Sequence, residues 1–68
     1  MTKQQWYSVT VGGENFYILA HWVATEGAWD PMQLELLRAE QLVDGHRIEV
    51  RMPVGAHDAV KAAALSLA

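Results

Sequence analysis

A small α+β fold of order ββαβα, with a three-stranded antiparallel-type sheet and two helices, is the class this sequence predicts. Three observations predict it. Two β-branched and aromatic runs flank a Gly-Gly pair, a capping pattern opens an apolar stripe at 31–43, and an alternating segment at 46–52 precedes an Ala-rich stretch. The 68 residues are expected to form one domain, 1–68.

The first two strands are expected at 6–11 (WYSVTV) and 16–23 (FYILAHWV), because β-branched and aromatic side chains suit a pleated, half-buried surface. Gly12-Gly13 between them supplies the positive φ values of a tight hairpin turn. A two-residue turn pairs Val11 with Glu14, Val9 with Phe16 and Tyr7 with Ile18. The core face is then Tyr7, Val9, Val11, Phe16, Ile18, Ala20 and Trp22, and the opposite face carries Trp6, Tyr17, Leu19, His21 and Val23 with Ser8 and Thr10. A four-residue loop would exchange the two sets on the second strand.

Asp30, Pro31 and Gln33 form a helix-start pattern: a capping carboxylate, a fixed φ at the first helical position and a side chain able to reach back. The helix is expected over 31–43, ended by Asp44-Gly45. In 46–52, Ile48, Val50 and Met52 alternate with Arg47, Glu49 and Arg51, which predicts a half-buried strand. Pro53 stops it. A second helix is expected over 56–67, with Asp58 in its first turn and Ala56, Val60, Ala63 and Leu67 on its buried stripe.

Composition narrows the function. Hydrophobic residues make up 51% of the chain, too many for a disordered segment. There is no cysteine, which removes disulfides and thiolate zinc sites and fits a reducing compartment. A core of this size is marginal by itself, so self-association is the remaining route to added stability. Five basic against eight acidic residues give a net charge of -3, which makes nucleic acid an unlikely partner. Neither a signal-peptide pattern at 1–5 nor an uninterrupted apolar run of membrane length occurs, and the expectation is a cytoplasmic protein with no membrane partner.

Two surfaces carry apolar residues to spare. The second strand is apolar on both faces, while two short helices cover only one face of a small sheet. On the expected first helix, Met32, Leu36, Ala39 and Val43 make one stripe and Leu34 and Leu37 fall off it. Trp29, just ahead of the helix cap, is either a partner anchor or a staple on the helix start. Trp6, Tyr17, Leu19, Trp29, Leu34 and Leu37 are therefore the candidate interface residues of a homodimer that also engages a larger protein partner.

Chemistry is sparse. His21, His46 and His57 with Asp44 or Asp58 include a possible zinc ligand set, but no pair has the helical i, i+4 spacing of a metal motif. Ser8 and Ser66 lack a nucleophile turn, and Gly12-Gly13 joins strands instead of opening a phosphate-binding helix. Neither catalytic residues nor a cofactor is expected. Trp6 and Tyr17 as a stacking platform, with Lys3, Arg47 and Arg51 on phosphates, form a single-stranded nucleic-acid alternative that Glu49 and the acidic balance oppose. The expected function is a non-enzymatic protein-binding module, an inhibitor or regulator of a larger macromolecule, with an accessory structural subunit as the other alternative. In size and composition the chain resembles small inhibitors encoded by phages and other mobile genetic elements, anti-CRISPR proteins among them; no motif carries that likeness.

Overall fold

A computed structural model describes residues 2–25, 28–29 and 34–66, with side chains over 4–22 and 34–66. The strands are β1 (Thr2–Val11), β2 (Glu14–Thr25), the two-residue β3 (Ala28–Trp29), β4 (Glu35–Val43) and β5 (His46–Val50), followed by one helix, α1 (Ala56–Ser66). The main sheet runs β1-β2-β4-β5, every neighbouring pair antiparallel, and β3 pairs with β2 alone. It is a small α+β fold, with four main strands and one helix among the described residues in place of the expected three strands and two helices.

The first hairpin follows the expected register: Val11 pairs with Glu14, Val9 with Phe16 and Tyr7 with Ile18. Gly12 and Gly13 sit at φ 60° and 81°, the left-handed values a two-residue turn of matching twist requires. That register puts Tyr7, Val9, Phe16, Ile18, Ala20 and Trp22 in the core, where all are buried, with Val11 half-buried at the turn end. Trp22 Nε1 donates to the Tyr7 hydroxyl at 2.8 Å, so one edge of the core contains a satisfied polar contact.

The helix expected over 31–43 is the principal correction. Residues 35–43 form β4, hydrogen-bonded to β2 on one side and β5 on the other; Asp30, Pro31, Met32 and Gln33 lie outside the described residues. The physical reason is a β-bulge. Leu19 pairs with Arg38 and Ala20 with Leu36, which leaves Leu37 as an extra residue. The bulge changes the parity of the strand midway, so the core face takes Leu34 and Leu36 before it and Ala39 after it. Leu36, Ala39 and Val43 thereby acquire the i, i+3, i+7 spacing of a helical stripe although the backbone is extended. Asp44-Gly45 does not cap a helix. With φ of 50° and 81° it turns β4 into β5, the second hairpin of the same kind.

The third expected strand, 46–52, ends at Val50, and Met52 packs against the core from the connection that follows. Helix α1 starts where expected and is described to Ser66, which leaves Leu67 outside. Ala56 N–H donates to the Pro53 carbonyl at 3.1 Å and Ala59 N–H to that of Gly55, also at 3.1 Å. Gly55 enters at φ 90°, with a Val11 methyl 3.9 Å from where a Cβ would stand. The helix packs mainly on β1, and its buried side chains, Ala56 and Val60, close the core over the β1–β2 hairpin. Among the described residues, no helix is long and apolar enough to cross a membrane.

Candidate binding face

Helix α1 covers one face of the sheet; the register defines what occupies the other. Trp6 lies opposite Leu19, Ser8 opposite Tyr17, Tyr17 opposite Glu40, Leu19 opposite Arg38 and His21 opposite Glu35. On β5, Arg47 and Glu49 fall on this outer face beside Leu42 and Glu40. Alternation along each strand fixes these positions, and the bulge keeps them in phase.

The side chains there form a connected group. The Arg47 guanidinium lies 4.6 Å from the Trp6 ring centroid and 4.3 Å from that of Tyr17, a cation held against two aromatic faces. Arg47 Nε donates to Glu40 Oε1 at 3.1 Å, and Arg38 Nε to the other carboxylate oxygen, Oε2, at 2.7 Å. Arg38 Nη2 is also 3.8 Å from Glu49. The Glu40 side chain is only 12% exposed, so its two ion pairs are better shielded from solvent than surface pairs usually are. Two arginines answer two glutamates, and the patch carries no net charge.

Trp6 remains 41% exposed at this cluster, with Tyr17 and Leu19 half-exposed. Beside Tyr17 an open groove of about 510 Å³ is lined by Glu14, Asn15, Gln41, Leu42 and Val43. Thr10 Oγ1 donates to Asn15 Oδ1 at 2.8 Å, and Gln41 Nε2 reaches the Asn15 carbonyl at 3.4 Å; these contacts shape the groove end. The β4–β5 hairpin continues past the helix with Leu42, Val43 and Ile48 exposed.

Of the six residues singled out from sequence, the structure gathers Trp6, Tyr17 and Leu19 on the outer face. Leu37 is exposed at the bulge, on the same strand but outside that group. Leu34 is buried in the core, taken up by the face opposite. Trp29 lies in β3, with its side chain outside the described residues. Sequence reading missed Arg38 and Glu40, which it placed on a helix. The available signal was charge at period two: with Asp44-Gly45 as a two-residue turn, Arg38-x-Glu40 and Arg47-x-Glu49 share one face, where Arg47 reaches Glu40 and Arg38 reaches Glu49 on the diagonals although Glu40 lies directly opposite Glu49.

The nucleic-acid platform is altered by the same geometry. Trp6 and Tyr17 do share the outer face, but the Arg47 guanidinium lies over both rings and is itself paired to Glu40. Arg51 follows β5 as an exposed residue, and the Lys3 side chain is outside the described set. Among the described residues, no three His, Asp or Glu side chains come together as a metal site. His21 Nε2 is enclosed on the outer face and has no hydrogen-bond partner among the described residues. Comparison with protein families, curated proteins and solved structures finds no match to this chain.

Proposed function

We propose that this chain is a non-enzymatic protein-binding module, an inhibitor or regulator that engages a larger protein through the outer face of its sheet, opposite α1. The observation that carries the reading is the Arg47 guanidinium lying over the rings of both Trp6 and Tyr17 and held by Glu40. Trp, Tyr and Arg are the residue types that dominate binding energy at protein interfaces. Here they are pre-ordered on strands, which lowers the rotamer entropy lost on association. The neighbouring groove at Tyr17 offers a recess for a partner side chain. A cluster whose charges already balance favours a mixed protein surface over a phosphate backbone.

The test is affinity capture from the source cells with the native chain and with Trp6→Ala. The native chain is expected to retain a defined protein partner, and Trp6→Ala to weaken that complex by at least about tenfold, as truncation of a hot-spot tryptophan does. Equal capture by both chains, or no captured protein, would sink the reading. So would retention of single-stranded oligonucleotide on a filter at low salt that depends on Trp6.

A further inference from the structure

The edge of β5, unpaired among the described residues, goes beyond that reading. We propose that β5 pairs antiparallel with β5 of a second copy of this chain, on a two-fold axis through Ile48, joining two sheets into one.

Three observations specify the pairing. The first is the phase of the backbone. The two-residue turn at Asp44-Gly45 makes Val43 and His46 a hydrogen-bonded pair, and alternation then directs the N–H and C=O groups of His46, Ile48 and Val50 toward β4. Those of Arg47 and Glu49 face the other way, where the sheet order ends. Arg47 and Glu49 therefore supply the edge's free donors and acceptors, and any antiparallel partner must match them.

The second is charge. Of the residue-centred two-fold axes that phase permits, those at Arg47, Ile48 and Glu49 keep most of the five-residue strand paired. An axis at Arg47 opposes Arg47 to Arg47, and one at Glu49 opposes Glu49 to Glu49 and Arg47 to Arg51. Only the axis at Ile48 sets Arg47 against Glu49 of the partner copy, twice, by symmetry. A protected edge usually carries lysines or a proline; Arg-Ile-Glu is instead its own complement.

The third is apolar surface. Ile48 lies on the inner face, 45% exposed, with Val43 also exposed beside it, while α1 packs mainly on β1. The axis places Ile48 directly against Ile48 of the partner copy, and both helices remain on one side of the joined sheet. A five-residue edge buries little area, so the dimer belongs to the weak, reversible class.

The chain has no cysteine, which allows a direct test. Residues opposed at a non-hydrogen-bonded position have Cα atoms about 4.5 Å apart, within the roughly 4.4–6.8 Å that a disulfide spans. Under mild oxidation Ile48→Cys is expected to crosslink into a covalent dimer far faster than Val54→Cys, a fully exposed control off the strand. Equal rates would overturn the proposal. Glu49→Lys opposes like charges at both pairs and is expected to weaken the native dimer about tenfold in sedimentation equilibrium. Mixing it with Arg47→Glu restores both opposite-charge pairs in a heterodimer, provided each variant keeps the native circular dichroism spectrum. Unchanged self-association of Glu49→Lys would also overturn the proposal. Trp6→Ala in the Ile48→Cys background should crosslink normally, which separates this edge from the partner face.

Discussion

Glu40 spends both carboxylate oxygens on arginines that arrive from different strands, Arg38 on its own β4 and Arg47 on β5. Removing its charge leaves two guanidinium groups facing a neutral amide and loosens the hold on Arg47 over Trp6 and Tyr17. Glu40→Gln keeps the shape of the side chain, so the effect reads the charge alone. Stability in urea is expected to fall by about 1 kcal/mol, the upper range of exposed pairs because this one is a partly shielded network. Trp6 fluorescence should change as its ring loses the ordered cation. No change in either quantity would mean that Glu40 does not organise the cluster.

At the scale of the element, β4 shows why part of the fold was legible and part was not. The β1–β2 hairpin could be read because one signal, Gly-Gly, sets the turn, and strict alternation on both sides then fixes every partner and both faces. Trp6, Tyr17 and Leu19 were found by that route. In β4 the alternation is broken at Leu37, and apolar residues on either side of a bulge mimic a 3.6-residue period. Asp-Gly compounds the ambiguity, since the same dipeptide ends helices and turns hairpins. On a helix Leu34 would fall on a surface; beside an extended β4 it is buried in the core. The bulge makes a specific prediction about deletions. Removing Leu37 leaves Leu36 inward, Arg38 outward and Ala39 inward, an unbroken alternation, so the variant should fold with native-like dispersion in its NMR spectrum. Removing Glu40 turns Gln41, Leu42 and Val43 to the wrong faces and should prevent folding. If both deletions behave alike, the bulge is not where the register places it.

At the scale of the molecule, one short helix and one sheet face enclose the core among the described residues, with extents of 42 × 19 × 19 Å. A single core in a domain of this length rarely supplies more than roughly 3–5 kcal/mol of net stability, so its central residues should carry a disproportionate share. Ile18 sits at 0% exposure on the central strand β2, between Tyr7 on β1 and Ala39 on β4, in the same cluster as Val60 of α1. Truncating a fully buried isoleucine to alanine costs about 2–5 kcal/mol, because the cavity left behind adds to the lost transfer energy. That is comparable to the whole margin. Ile18→Ala should therefore lose most of its folded population at room temperature, seen as a collapsed thermal transition in circular dichroism. Val54→Ala, at a position 98% exposed, should melt with the native chain. Because a second copy at the β5 edge binds only the folded state, the melting temperature of the native chain should rise with protein concentration. The Glu49→Lys chain, with that pairing weakened, should show a flatter dependence.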